Sequence, residues 1–590
     1  MRIDVSKTIK NTTAKMLDAF VDSTFEFVDQ PLLPSQSNFA PVDELGGPVF
    51  ITSIEGSIPD DFPEGVYLRN GPNPLFGGLK STKSIFGESN HTWVEGEGML
   101  HALHFSKDDD FNWSLHYNNK YVETETFKQD KQRKKPSFIP IIEGDLPAVI
   151  SAIMLNLRAP ETGELVIVGM DAIKPYYELG VISADGKKLV HRADLKLDRC
   201  TFSHDFGITE RYNVFMDFPL TIDIARLFLG GTLIKYNKEG YARIGVMPRY
   251  GDGDSMRWFE VEPNCTFHVI NCFEDGDDEV VVWGCRALES VIPGPGTGPS
   301  KVNFDNSIKD GLLYDRPYEW RLNMRTGKVR ERNLSADTEF SMDFPMINAN
   351  FTGRKNKFGY TQVVHDSSST EDNMPRFKGL AKLHFEQLDN KISSTTREIE
   401  EVIKVEYHMF EKNTFCSGAS FVPKNGGLEE DDGWIVTFVH NEDTNTSQIF
   451  VIDAKNFSDK PVAKITLPHR VPYGFHGAFI PTWDRPVAPP SVTYKREAPG
   501  NDGDTGVVLP WALRCLSASR GSGCLGQPSR GQTLSEWVAT GGDVMCCSSR
   551  WATPVADGYR CSEHNLARFA THPGETIGSG RLSVFSENGI

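Results

Sequence analysis

Three histidines stand in the same kind of local sequence: His204 in Thr-Phe-Ser-His-Asp-Phe-Gly-Ile-Thr, His268 in Thr-Phe-His-Val-Ile-Asn-Cys and His476 in Val-Pro-Tyr-Gly-Phe-His-Gly-Ala-Phe. Each segment puts one imidazole in a short aromatic and β-branched run bounded by turn formers, the pattern of a strand that carries a side chain inward. Neutral imidazoles arriving from separate strands are borderline ligands. They hold a transition metal without adding negative charge and leave coordination positions open. Taken singly, each is better explained as a hydrogen-bonded core histidine, but three in one kind of setting favour a shared metal.

The remaining candidates are weaker. His101 and His104, in Met99-Leu-His-Ala-Leu-His, have a spacing that chelates metal on a helix. This segment reads as a strand, where they point to opposite faces. His365, His440 and His469 lie among polar residues and read as solvated, as does His91. Gly71-Pro-Asn-Pro is a turn, and no phosphate-cradling Gly-x-x-x-x-Gly-Lys-Ser/Thr loop occurs.

The elements that must position these groups are mostly strands. Apolar positions from Val5 to Phe27 suit a helix that Pro31 ends, so residues 1–40 are expected to be an N-terminal helical segment. After Pro41 the chain breaks into short β-rich runs separated by Gly, Asn, Asp and Pro. The clearest are Leu165-Val-Ile-Val-Gly-Met, Val280-Val-Val-Trp-Gly, Trp434-Ile-Val-Thr-Phe-Val and Ile449-Phe-Val-Ile-Asp. The fold class is therefore all-β, as a sandwich, barrel or propeller. The stretch Pro136 to Pro160, with Ala148-Val-Ile-Ser-Ala-Ile-Met-Leu-Asn-Leu inside it, reads as a short apolar helix.

A chain of 590 residues fits one long closed all-β unit. Its net charge of -18 argues against a nucleic-acid partner, which needs a concentrated basic surface. The longest apolar stretch, Ala148 to Leu157, falls short of the roughly 20 residues needed to cross a bilayer. No charged-then-apolar signal sequence opens the chain. Its first fifteen residues, rich in Lys and Thr with Asp4 the only acid, leave plastid import open beside the cytoplasm. Of ten cysteines none forms a Cys-x-x-Cys pair, so free thiols are expected.

Further motifs surround the histidines: Asn38-Phe-Ala-Pro-Val-Asp-Glu, Val66-Tyr-Leu-Arg-Asn-Gly-Pro-Asn-Pro-Leu-Phe, Trp93-Val-Glu-Gly-Glu-Gly-Met-Leu-His and Arg470-Val-Pro-Tyr-Gly-Phe-His. With them the chain, from about Phe20 to Ile480, resembles the plant carotenoid cleavage dioxygenases. Cys416-Ser-Gly-Ala-Ser-Phe-Val-Pro and Ala336-Asp-Thr-Glu-Phe-Ser-Met-Asp-Phe-Pro are most similar to the branch containing zaxinone synthase, which acts on apocarotenoids. The resemblance implies a seven-bladed β-propeller with a helical cap over one face. It also implies Fe(2+) bound by four histidines, with three supporting carboxylates that orient ligands, one of them expected in the missing stretch near 160–161. His204, His268 and His476 match three of the ligands, and Asp343 sits where one supporting carboxylate belongs. Gly418 stands where a second is expected. In relatives, helices comparable to Pro136–Pro160 form a membrane-dipping patch, so this stretch is either a peripheral membrane contact or an ordinary packed helix.

Two departures qualify the resemblance. Arg158-Ala-Pro runs straight into Glu161-Thr-Gly-Glu-Leu, where the family has a long stretch carrying its first iron-binding histidine. The gap near 160–161 is on the order of two blades at about 40–45 residues each. From Thr482 onward the chain is Pro/Gly/Ser-rich, with nine arginines and a single lysine. That makeup reads as an atypical, disordered tail over 482–590 outside an oxygenase propeller at 41–481. The implied activity is oxidative cleavage, with dioxygen, of one conjugated double bond in a carotenoid or apocarotenoid, giving two carbonyl products. The alternative is an impaired propeller that binds apocarotenoids without turnover. A zinc site with one open position is a third reading of the same histidines.

Overall fold

The computed structural model describes residues 25–29 and 38–482, apart from the segments 76–79, 85–86, 90–95, 135–152, 159–163, 171–173, 224, 227–233, 289–314, 336–337, 339, 365–375 and 389–401. The described residues are almost wholly antiparallel β-structure. Six sheets of four or five strands carry the architecture. Sheet I is Ile153–Arg158, Leu165–Met170, Tyr177–Ile182 and Leu189–Asp194, and sheet II is Gly207–Ile208, Tyr212–Asp217, Ala242–Pro248 and Arg257–Val261. Sheet III is Cys265–Asp275, Glu279–Ala287, Arg316–Asn323 and Val329–Asn333, and sheet IV is Ser341–Met346, Phe358–Val364, Gly379–His384 and Lys404–Met409.

The last two sheets interlock the two ends of the described chain. Sheet V joins Thr414–Pro423, Gly433–Asn441, Thr446–Asp453 and Ala463–Thr466 to the early strand Ile54–Gly56. Sheet VI joins Val49–Phe50, Trp113–Tyr121, Gly98–Lys107 and Gly65–Pro72 to the late strand Gly477–Pro481, with Gly477 opposite Arg69.

Strand periodicity explains how the sheets stack. In Glu279–Ala287, Val280 and Val282 pack towards sheet II with Val214, Ile244 and Trp320. The alternate residues Val281, Trp283 and Cys285 pack towards sheet IV with Val363, Ala381 and Leu383. A sheet held between two others needs apolar residues on both faces, which is why these strands read as continuous hydrophobic runs. Ile435 and Val439 likewise face sheet IV while Val436 and Phe438 face sheet VI. Sheets I and II share a fifth seam of Val166, Val168, Leu179, Ile208 and Phe215. Each fully buried side chain of this kind contributes roughly 1.5–3 kcal/mol. Among the described residues no apolar cluster joins sheet VI to sheet I, the two sheets that flank residues 135–152, whereas the junction near 160 lies within sheet I, between its paired strands Ile153–Arg158 and Leu165–Met170.

Two helical expectations need correction. Phe25–Asp29 is a strand paired along its length with Lys80–Ser84. The rest of the expected N-terminal helix lies outside the described residues. Ile153–Arg158 is also a strand, paired along its whole length with Leu165–Met170. A partner strand five or more residues away in sequence decides against a helix that apolar character alone left open. Helix Glu125–Arg133 is capped by the Thr124 side chain. The tail over 482–590 lies outside the described residues but for Thr482.

Candidate metal centre

The innermost strands of sheets II to VI begin beside one another, and three of them are irregular where they approach the centre. Register shifts fall between Thr266 and Asn271 in sheet III, between Asp343 and Met346 in sheet IV, and between Ser417 and Ser420 in sheet V. Such bulges bend a strand and re-aim its side chains. The first presents His268, the second Asp343, and the third Gly418.

Only His268 of the three lies within a strand as its sequence suggests, because His204 comes from the loop before Gly207–Ile208 and His476 from the residue before Gly477–Pro481. The three imidazoles meet: one nitrogen from each of His204, His268 and His476 lies within 4.8 Å of the others. Their ring centroids are 5.0 Å apart for His204 and His268, 5.3 Å for His268 and His476, and 6.0 Å for His204 and His476. His268 and His476 are buried, and His204 is half-buried with its ring against Phe267. Burial, then the neighbouring His268, pushes the His204 pKa down to about 3. The same causes, with His204 added, hold His476 well below the usual imidazole range. Neutral imidazoles are the form that binds a metal.

Asp343 completes one side of the site. Its carboxylate accepts a hydrogen bond from His268 Nδ1 at 2.7 Å. That contact selects the tautomer and leaves the Nε2 lone pair for a metal. Asp315, buried beside this pair, has its carboxyl pKa raised well above the usual range, first by burial and then by the charge of Asp343. The donor set suits a transition ion that prefers nitrogen, since three neutral imidazoles converge and one already carries an orienting carboxylate.

Several contributors carry no signal in the sequence. Phe344 follows Asp343 with φ of +52°, a left-handed backbone that costs a non-glycine residue roughly 1–2 kcal/mol. The bulge that aims Asp343 at His268 also turns the Phe344 ring onto His268 at 4.7 Å and His476 at 5.1 Å. Asp205 bridges two ligand-bearing segments, accepting from Val269 N and from Phe206 N, each at 2.9 Å. Only its position next to His204 hinted at a role.

The other histidines stay apart. His101 bonds Tyr117 Oη at 2.7 Å on the sheet V face, while His104 lies on the opposite face of its strand, across from His116. His440 corrects the sequence reading: it is buried in Gly433–Asn441 and its Nδ1 meets Ser447 Oγ at 2.8 Å. Its polar neighbours, Asn441 at the strand's end and Glu442 after it, lie where the strand runs into the hairpin. His469 is half-buried and pairs with the Arg470 carbonyl, whereas His91 and His365 lie outside the described residues. Cys200, Cys265, Cys272, Cys285 and Cys416 are buried and belong to no disulfide among the described residues.

The sequence matches the profile of the RPE65 family, retinal pigment epithelial membrane protein, over residues 39–155 and 156–481. It is 32% identical to carotenoid 9,10(9',10')-cleavage dioxygenase 1 of Pisum sativum, covering 75% of this chain and 89% of that protein. The chloroplastic 9-cis-epoxycarotenoid dioxygenase NCED2 of Oryza sativa subsp. japonica is 27% identical, over 80% of this chain and 88% of its own length. Among solved structures, the lignostilbene dioxygenase of Pseudomonas brassicacearum superposes with a TM-score of 0.62 at 19% identity, covering 77% of this chain and all of that one. The all-β fold with this centre is thus that of an oxygenase class. The chain belongs to the carotenoid cleavage dioxygenase family, whose members are enzymes.

Proposed function

We propose that this protein is a non-haem Fe(2+) dioxygenase that cuts one conjugated double bond of a carotenoid or apocarotenoid into two carbonyl products. The observation that carries the reading is the meeting of His204, His268 and His476 within 4.8 Å, with Asp343 behind His268. These three residues would hold the iron, and Asp343 would orient His268. When bound, ferrous iron supplies the capacity to bring dioxygen to reaction with a polyene. The chain's own residues do the rest. Asp343 keeps His268 in one tautomer, and Phe344 and Phe267, with Phe377 packed against Phe344, give the centre apolar surface that suits a long polyene and excludes water. The apocarotenoid branch of the substrate class follows from the motifs around Cys416 and Asp343.

The same reading extends to architecture: residues 41–481 are a propeller of the seven-bladed kind with a helical cap, interrupted near 160–161, and 482–590 lie outside it. Among the described residues six sheets of four or five strands are seen, fewer than seven. An interruption on the order of two blades is supported by the profile match in two parts and by the pea alignment, whose 524 positions draw on 75% of this chain and leave about 80 positions without a counterpart, at about 40–45 residues per blade. Plastid residence draws on the chloroplastic relative and on the acid-poor first fifteen residues. Peripheral membrane contact rests on residues 136–152 alone and is open to vesicle flotation.

The deciding experiment is iron analysis of protein reconstituted with Fe(2+) without oxygen, followed by admission of oxygen with an apocarotenoid. One iron per chain and oxygen-dependent loss of polyene absorbance, both abolished in His268→Ala, are expected. Retained apocarotenoid binding without turnover would establish the impaired propeller instead, and stoichiometric zinc without iron uptake would establish the third reading.

A further inference from the structure

His268 and His476 point at the same centre, yet among the described residues a carboxylate stands behind His268 and none behind His476. The place where the resemblance puts a second carboxylate is filled. Gly418 has φ of +68°, and a Cβ there would overlap Arg69 Cγ, because the buried Arg69 side chain runs through that space. Gly474 is in the same position, since a Cβ on it would meet the Arg69 guanidinium. The His476 ring itself meets aromatic neighbours and the other two imidazoles.

Its main chain is held differently. Asn70 Oδ1 accepts the His476 N–H at 3.0 Å, Asn70 N–H donates to the His476 carbonyl at 3.1 Å, and the Asn70 carbonyl accepts from Phe475 N–H at 3.0 Å. One buried residue thus occupies both backbone groups of His476 and one of its neighbour. The approach to it is tied down as well. The Pro472 carbonyl accepts from Arg69 Nη1 at 2.7 Å, and the Val471 carbonyl accepts from Asn38 Nδ2 at 2.9 Å. Fixing both backbone groups removes the φ/ψ freedom of the residue and leaves two side-chain torsions, which Phe344 and the neighbouring imidazoles restrict by contact.

We propose that Asn70 is the positioning residue of His476, aiming its imidazole at the metal through the main chain in place of an orienting carboxylate. The inference rests on the reading of the three histidines as a metal centre. It identifies the Arg69-Asn70 pair of the Val66–Phe76 motif as part of that centre's support. It also implies that Gly418 is not an empty carboxylate position waiting to be restored.

The test is Co(2+) titration of the full chain, followed by its visible ligand-field bands and by melting temperature. Asn70→Ala should weaken cobalt binding about tenfold or more and alter the bands, as loss of outer support does at metal sites. Asn70→Asp, which keeps an acceptor oxygen for the His476 N–H, should restore both. A purely structural role would lower the melting temperature of Asn70→Ala while leaving affinity and bands those of the wild type, and that result overturns the proposal. Gly418→Glu should not tighten binding, and tighter binding in a folded Gly418→Glu protein would also overturn it. If Asn70→Ala does not fold, amide hydrogen exchange on the wild type decides: strong protection of the His476 N–H supports the clamp, and fast exchange removes it. Failure of the metal reading looks different, as wild-type protein whose cobalt binding is indifferent to His268→Ala.

Discussion

The two sides of the metal centre are built by different means. On the His268 side a bulged strand delivers both the imidazole and, from the next sheet, the Asp343 carboxylate that grips its ring at 2.7 Å. On the His476 side the ring has aromatic neighbours, and the grip falls on the backbone through Asn70. A charged partner sets tautomer and basicity, whereas a main-chain clamp sets only where the ring begins. The comparison teaches that a ligand-bearing residue can be fixed either at its ring or at its main chain, and the two constrain different degrees of freedom.

The comparison breaks most sharply at the ligand itself. His268→Ala should abolish tight Fe(2+) or Co(2+) binding, read by metal content after gel filtration, since two imidazoles are too few to retain the ion. Asp343→Asn keeps a hydrogen-bond acceptor but loses the charge, so metal affinity should fall by about 10–100-fold with little change in folding. If Asp343→Asn bound metal like the wild type, the contrast between the two sides would disappear.

Phe344 touches both sides, and its strained backbone separates two contributions. Phe344→Ala loses the ring and keeps the left-handed φ, while Phe344→Gly loses the ring and relieves the strain. The glycine variant should be the more stable of the two by about 1 kcal/mol in denaturant unfolding, with cobalt affinity lowered alike in both. Equal stabilities would mean that the bulge relaxes on truncation.

The smallest effect concerns the support of the Asn70 strand. Glu97 accepts from Leu75 N at 2.6 Å, just beyond the end of Gly65–Pro72. Burial, reinforced by Asp130 and opposed by the Leu75 amide, pushes the Glu97 pKa up to about 7. A carboxyl whose folded pKa is raised contributes stability below its unfolded value that is lost as pH rises through the folded one. Thermal stability should therefore decline between about pH 4.5 and 7, and Glu97→Gln should flatten that slope. An unchanged slope in Glu97→Gln would place the pH dependence elsewhere.

Much of this was legible along the chain, and the misses share a cause. Val280-Val-Val-Trp and Trp434-Ile-Val-Thr-Phe-Val were readable as strands because β-branched and aromatic runs fit a pleated surface buried on both sides. Ile153–Arg158 and Phe25–Asp29 were read as helix because apolar content without a visible partner is ambiguous, and each is decided by a strand elsewhere in the sequence. His440 read as solvated because its neighbours in sequence are polar, but its neighbour in space is Ser447. The bulges, the left-handed Phe344 and the Asn70 clamp leave no composition signal, since they are relations between strands.

What the sequence alone determined is the chemistry on offer: three imidazoles in strand-like settings, an acid at 343, a glycine at 418 and a largely acidic chain of β-runs. Residue type and local alternation are enough for that, because side-chain chemistry and strand period are properties of the chain itself. Only the tertiary structure decided that the three imidazoles share a centre within 4.8 Å, that Asp343 belongs to His268, and that Arg69 occupies the space beside Gly418. These depend on how sheets stack and where their registers slip. Contacts between residues hundreds of positions apart are set by packing, which no local window of sequence contains.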